Sequence, residues 1–290
     1  MTDDYALWTG RNEGFVTPAE QRRLREARVL VAGVGGMGGA AFQCLVRAGV
    51  GAFDLAEIDR FERSNLNRQV FATRATLGRP KHEAAAEAAR AVNPAVALAL
   101  HGAGWVEALD DLLPRADVVV NGTDDVGATT RLYRAARRHG RTVVDAYAAP
   151  LPSVYVTAAG DPVPEDRFGA PTRGRPPEEW TEADLRDAFA RELAFVLAHS
   201  SARRHLDMGV AREVGAGTRP RPSFAPMVLM AGTLMAAEAI GAILGRPSGA
   251  GWRGYFLDTA RGRVERPGRG PLAALRERAA RVAVRRMVGR

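Results

Sequence analysis

The chain has 290 residues, 46% of them hydrophobic and 26% charged. This balance excludes a fibrous or disordered chain and leaves one large α/β domain or two small ones around a substantial core. The formal net charge of +8 is local: residues 261–290 hold ten Arg against Glu265 and Glu277, so residues 1–260 are neutral overall.

The first ten residues lack a basic start and an apolar run, so no secretory signal is expected and the cytoplasm is the default. Thr17-Pro18-Ala19-Glu20 opens a helix, with Thr17 as cap, Pro18 at the first helical position and Glu20 completing a capping box. Residues 28–33 (RVLVAG) are a short apolar run, expected as a buried strand. A glycine-rich loop, Gly33 to Gly39, leads into a helix reaching about Ala48, and residues 52–59 form a second strand. This βαβ unit predicts parallel strands with a right-handed crossover. Residues 81–92 are an alanine-rich helix stopped by Asn93-Pro94, and residues 96–100 a third strand. Strands follow at 117–123, 141–147 and 153–158, with a helix from about Gly127 to His139. Together these predict a doubly wound, mostly parallel Rossmann-like sheet with helices on both faces.

Residues 160–178 and 207–222 are rich in Pro, Gly and charge and are expected as loops. Between them, residues 181–198 form an amphipathic helix with Leu185, Phe189, Leu193 and Val196 on one face. Residues 227–244 are almost wholly apolar and long enough for a membrane span, but Gly232, Glu238 and Gly241 favour a buried core helix, and no membrane partner is expected. Residues 254–258 and 263–265 can pair as a hairpin. Residues 271–290 predict a basic helix with Leu272, Leu275, Ala279 and Val282 on one side, docked on the body or on an acidic partner, nucleic acid or anionic lipid. The division expected is a catalytic body over 1–260, with 160–222 as its substrate-facing insert, and a basic tail over 261–290 whose removal spares nucleotide binding.

The chemistry-bearing residues cluster after the glycine loop. Gly33, Gly35 and Gly38 satisfy G-x-G-x-x-G between a strand and a helix, where missing side chains let backbone approach a phosphate and the helix N-terminus favours an anion. This does not choose between NAD and ATP, and a tight turn alone would also use these glycines. Glu57 lies 19 residues past Gly38, close to the spacing of a ribose-binding acid, and Asp59 falls on the same strand face. Arg68 and Lys81 have no task in a dehydrogenase, whereas a leaving pyrophosphate needs cations. Lys81 is the only lysine beside 40 arginines and opens a helix, a poor place for a cation unless an anion binds there. Thr123-Asp124-Asp125 ends a strand at the ligand-binding edge, where a carboxylate can hold Mg²⁺ or cap the next helix.

The ordered set GVGGMG, EID, SNLNRQ, GRPK and TDD resembles the ThiF/MoeB/HesA adenylyltransferases, relatives of the ubiquitin-activating enzymes, from about Arg11 to Leu244. The resemblance implies that Gly36 and its neighbours lie under ATP and that Glu57 stands at the ribose, where the family usually has Asp. It implies that Asn65, Arg68 and Lys81 meet the phosphates, with Gln69 beside them in the cofactor-binding set, and that Asp124 holds Mg²⁺. It also implies that Arg11 reaches the ATP of a neighbouring subunit, hence a homodimer. The chain departs from the family in Glu57, in Asp125 for the usual Asn, and in lacking both CxxC zinc pairs and the thioester cysteine, so no zinc is expected. Cys44 falls mid-helix and reads as structural.

The expected function is therefore ATP-dependent adenylation of a carboxylate, on a ubiquitin-like carrier, a peptide or a small acid, with direct transfer to a nucleophile, in a specialised biosynthetic pathway. An NAD-dependent oxidoreductase explains the glycine loop and Glu57 but not Arg68, Lys81 or Asp124. A non-catalytic nucleotide-binding scaffold acting through its tail is the third reading.

Overall fold

The computed structural model describes residues 4–147, 150–205, 207–215 and 218–288. The chain opens with α1 (Asp4–Thr9), a 3-10 turn (Gly10–Asn12) and α2 (Pro18–Glu26), whose predicted capping box between Thr17 and Glu20 is formed. Then come β1 (Arg28–Ala32), α3 (Gly36–Ala48), β2 (Ala52–Ala56), α4 (Lys81–Val92), β3 (Ala97–His101) and α5 (Leu109–Leu112). The second half of the body adds β4 (Val118–Asn121), α6 (Val126–Arg138), β5 (Val143–Asp145), β6 (Ser153–Thr157), α7 (Pro164–Phe168), α8 (Glu182–His199), α9 (Met208–Gly215) and α10 (Ala225–Leu244). The hairpin β7 (Tyr255–Asp258) and β8 (Arg263–Glu265) and the terminal helix α11 (Pro271–Val288) complete the chain.

One eight-stranded sheet runs in the order β3-β2-β1-β4-β5-β6-β7-β8. The five strands from β3 to β5 are parallel, and β6, β7 and β8 continue antiparallel. The parallel strands are apolar on both faces because both are covered. Val29, Val31, Phe53 and Leu55 face one core with Phe42, Leu45 and Ala85, while Leu30, Ala32, Ala56 and Val119 face the other with Leu132 and Tyr133. Asp54 is the charged exception inside β2; Arg28, Arg115 and His101 all converge on its carboxylate.

Helix α10 lies on α3 and the sheet, with Ala231, Met235, Ala236 and Ala239 in the core. A Cβ at Gly232 would come 2.5 Å from Met37 O, so glycine lets the two helices touch. It is the one helix among the described residues long and apolar enough to cross a membrane, and it is instead built into the core beside the glycine loop.

Three expectations change. The stretch 160–178 contains α7 and a 3-10 turn (Pro177–Glu179), and 207–222 contains α9. Tertiary contacts impose order on loop-like composition: Arg134 Nε and Nη2 bind both oxygens of buried Glu165 at 2.9 Å, and Nη2 and Nη1 also bind the carbonyls of Thr172 and Arg175, fastening α7 to α6. Second, α8 buries more than its predicted stripe: Ala190 and Ala194 meet α11, and Phe195 joins the expected Val196 against Phe168. Third, α11 docks through Ala273, Ala280 and Val284, leaving Leu272, Leu275, Ala279 and Val282 exposed. The docked stripe is the one whose small residues let the two helices approach, and His199 Nε2 to Glu277 Oε1 at 2.7 Å fixes the register. Residues 1–3 and 289–290, at the ends of the predicted N- and C-terminal segments, lie outside the described residues.

Candidate active site

Strand order reverses between β1 and β4, so the chain leaves their carboxyl ends in opposite directions and opens a crevice there. The glycine turn floors it, and its glycines serve two purposes. Gly33 has φ +82°, and a Cβ there would sit 2.7 Å from the Gly122 carbonyl carbon. A Cβ on Gly38 would sit 1.9 Å from Gly33 O. These two are required by backbone contact alone. Gly35 and Gly36 face side chains: a Cβ on Gly35 would be 3.6 Å from Gln69 Nε2, and one on Gly36 2.7 Å from Val228 Cγ1 and 4.0 Å from Arg68 Cγ. The start of α3 carries no side-chain cap, so its first N–H groups remain available to an anion.

Glu57 occupies a different posture from the one expected of a ribose ligand. Its Oε1 accepts the N–H groups of Ile58 and Asp59 at 2.9 and 3.0 Å, and its Oε2 accepts that of Val34 at 3.1 Å. The carboxylate is a clamp between the end of β2 and the glycine turn. With two lone pairs per oxygen, Oε2 retains one acceptor position for a ribose hydroxyl.

Asp59 follows in the same loop and accepts a hydrogen bond from Lys81 Nζ at 2.7 Å. The lysine side chain is 7% exposed and the aspartate 61%. Residues 59–61 pair with 78–81 through Phe61 N to Arg79 O, Gly78 N to Phe61 O and Lys81 N to Asp59 O. This is why the G-x-x-K spacing matters: the short ladder seats Lys81 as the first residue of α4. The chain's own Asp59 offsets a cation at that helix start, and Lys81 is linked to the glycine turn through Asp59 and Glu57.

The S-N-L-N-R-Q segment forms a 3-10 turn (Arg63–Asn65) whose box is closed by Asn65 Oδ1 on Glu62 N at 3.0 Å. Asn65 is buried, and among the described residues its amide otherwise reaches only Ser64 Oγ at 3.4 Å. Arg68 Nη1 binds Ser64 O at 2.8 Å and Asn67 Oδ1 at 2.9 Å, both neutral, and among the described residues it has no carboxylate partner. Gln69 is buried against Gly35, and its Oε1 has no hydrogen-bond partner among the described residues. A counter-ion-free guanidinium and an orphaned amide oxygen at a glycine cradle fit a nucleotide phosphate and sugar.

At the end of β4, Asp125 Oδ1 accepts Ala128 N at 2.6 Å and caps α6. Asp124 is exposed and makes no protein hydrogen bond among the described residues, so it is the carboxylate left to a cation. One protein carboxylate fits Mg²⁺ held mainly by water and phosphate. Asp124 also rims a cavity of about 110 Å³ lined by Asn121, Asp145, Tyr147, Glu192 and Arg221. Burial pushes the Asp145 carboxyl up to about 6, against the Ala146 N–H that lowers it, and burial pushes Glu192 up to about 7 although part of that residue is exposed. Burial also raises the Tyr147 hydroxyl well above its ordinary value.

Arg11 is not brought to this crevice. Asn12 Nδ2 binds Ala48 O at 3.2 Å, which sets the Gly10–Asn12 turn at the far end of α3. Twelve residues of helix separate that end from Gly36, about 18 Å at 1.5 Å per residue. Arg11 is exposed there and cannot serve its own glycine turn.

Sequence reasoning missed Gly122, Val228 and the polar chamber. Asp145 was legible in principle, ending a parallel strand at the ligand edge. Glu192 was not, because it sits on a helix whose pattern looks amphipathic and solvated.

The ThiF family profile matches residues 9–267. The chain is 40% identical over 113 residues to the molybdopterin-synthase adenylyltransferase of Escherichia coli, covering 39% of this chain and 45% of that one. It is 39% identical over 117 residues to the sulfur carrier protein ThiS adenylyltransferase of the same organism, covering 40% and 46%. The matched stretch thus spans less than half the length of these curated relatives. Among solved structures, PaaA shares the fold with TM-score 0.61 at 18% identity, covering 91% of this chain and 73% of that one. E. coli MccB bound to MccA does so with TM-score 0.61 at 18% identity, covering 87% and 67%.

Proposed function

The chain belongs to the ThiF family, and from that premise we propose that it activates a carboxylate with ATP. A carboxylate oxygen, already ionised at pH 7, attacks the α-phosphorus of ATP. The bond from that phosphorus to the bridging oxygen breaks, pyrophosphate leaves with the electron pair, and an acyl-adenylate forms. A nucleophile then attacks the acyl carbon and AMP departs.

The observation that carries this reading is Arg68, whose side-chain stem passes 4.0 Å from where a Cβ on Gly36 would sit and whose guanidinium, among the described residues, is bound only to neutral oxygens. A triphosphate supplies the missing negative charge. In this proposal Arg68 and Lys81 stabilise the leaving pyrophosphate, Asn65 and Gln69 turn their amides to the nucleotide, and Gly35 and Gly36 admit it to the start of α3. Glu57 meets the ribose through its remaining acceptor position while clamping the turn, and Asp59 holds Lys81 in place. Asp124 would hold Mg²⁺, which neutralises phosphate charge when bound. The protein's work is positioning and charge stabilisation, with no general base needed for the first step.

Arg11, at the wrong end of its own α3, supports a homodimer in which it reaches the partner's nucleotide. Relatives named as sulfur carrier protein adenylyltransferases favour a carrier protein as the bearer of the carboxylate, and the insert over 160–222, which lines the chamber beside Asp124, is the surface that would receive it. The test is separate titration of ATP and NAD with a thermal-shift readout, followed by pyrophosphate exchange with carrier, peptide and small acids. ATP raises the unfolding temperature and exchange appears with one class of acid. Stabilisation by NAD and not ATP would replace this reading with an oxidoreductase. Stabilisation by ATP with no exchange for any acid would leave a scaffold.

A further inference from the structure

Away from the crevice, the end of α8, the 3-10 turn Ala202–Arg204, the β7–β8 hairpin and the start of α11 enclose an open groove of about 790 Å³. Six arginines line it: Arg203, Arg204, Arg261, Arg263, Arg266 and Arg276, against one carboxylate, Glu265. That carboxylate is already engaged by Arg263 and by the Ser201 N–H. Arg261 stands 3.8 Å from Asp258, whose carboxylate is buried beneath and bound by Ser201 Oγ at 2.7 Å. Among the described residues Arg203, Arg204 and Arg276 have no carboxylate partner, and all three are exposed. The floor is rigid, because the Ser201, His205 and Glu265 contacts tie the turn to the hairpin. Four of the tail's ten arginines are thus gathered with two body arginines into one concave site, while Arg278, Arg285 and Arg286 stay exposed along α11.

We propose that this groove binds an acidic stretch of the polypeptide whose carboxylate is activated. That this polypeptide is the one activated rests on the carboxylate-activation reading; the binding itself does not. Helix α8 connects the two places: Glu192 lines the chamber and Ala198 lines the groove. Six residues of helix separate them, about 9 Å, a distance spanned by about three residues of extended chain. A polypeptide whose end reaches the chamber therefore places its acidic stretch at least about three residues upstream. An open groove lined by arginines suits carboxylate side chains on an extended strand, because guanidinium groups pair with carboxylates in bidentate fashion.

The test uses the full-length protein and a fluorescein-labelled short Glu/Gly peptide, with a Gln/Gly peptide, a short oligo(U) RNA and phosphatidylserine-containing vesicles as the other probes. The double variant Arg203→Glu/Arg276→Glu breaks no side-chain hydrogen bond or ion pair among the described residues, so its unfolding temperature should match wild type. Arg286→Glu, on α11 outside the groove, is the charge control. The Glu/Gly peptide should bind wild type and the control alike and the double variant at least about tenfold more weakly, with the difference shrinking as salt rises. Equal peptide binding by the double variant, or no peptide binding by wild type, overturns the proposal. RNA or vesicles binding with the same groove dependence and higher affinity overturns the polypeptide assignment. ATP-induced stabilisation is measured in the same samples: its absence with intact peptide binding rejects the adenylation reading and leaves the groove standing.

Discussion

Replacing Lys81 by Met separates its electrostatic task from its structural one. The side chain is 7% exposed, so an alanine would remove buried methylenes, whereas methionine keeps a stem of similar length and deletes only the ammonium. The charge lost from the folded protein is that of an ion pair with Asp59 at 2.7 Å, and Asp59 is 61% exposed and can be solvated once alone. Exposed pairs contribute about 0–1 kcal/mol and replacing a buried charge by an apolar group of similar volume is often neutral, so denaturant unfolding should shift by no more than about 1 kcal/mol. The reaction should suffer far more. Deleting one charge-stabilising donor costs about 10²–10³ in rate, near 3 kcal/mol. Pyrophosphate exchange, run with the acid that supports it in wild type, should therefore fall by two to three orders of magnitude. A fall of less than about threefold would refute the assignment of Lys81 to the phosphates. So would a stability loss of several kcal/mol large enough to explain the lost activity.

Gly38→Ala would push a Cβ to 1.9 Å from Gly33 O, so chemical denaturation should show a loss of several kcal/mol, whereas Gly160→Ala, with open space around it, should be neutral within about 1 kcal/mol. Glu192 has its carboxyl raised from 4.5 to about 7, so the folded protein holds that proton more tightly than the unfolded chain. Its contribution is full below pH 4.5 and is lost as the pH rises through 7, a swing of at most about 3 kcal/mol at 1.36 per pH unit. Glu192→Gln should flatten the stability–pH curve over that window and be the more stable protein at pH 8; an unchanged slope would contradict the burial of this carboxyl. Val284→Ala should cost about 2 kcal/mol from two lost methyl groups, while Leu272→Ser should leave the unfolding midpoint in place; the reverse pattern would mean that α11 docks by its other face.

Much of the frame was legible from local rules. Thr17 and Glu20 announced α2, the glycines after Ala32 announced the first crossover, and Asn93-Pro94 ended α4, because each signal acts within a few residues. The order of motifs led to the expectation that Arg68, Lys81 and Asp124 share one edge, since parallel strands deliver their carboxyl ends there. What escaped depends on distant partners. The order in 160–178 comes from Arg134 on α6, and the orientation of α11 from Ala190 and Ala194 on α8. Both faces of α11 carry apolar residues, so periodicity could not say which one docks. The backbone duty of Glu57 was hidden as well: a carboxylate ending a strand has the same sequence signature whether it caps amides or meets a ribose.

The most direct measurement is a crystal structure with a hydrolysis-resistant ATP analogue. The account predicts phosphate oxygens within about 3 Å of Lys81 Nζ and of the Arg68 guanidinium, with the analogue lying over Gly35 and Gly36 and Gln69 Oε1 no longer without a partner. An analogue bound elsewhere, with Lys81 joined only to Asp59 and Arg68 still bound to neutral oxygens, would contradict it.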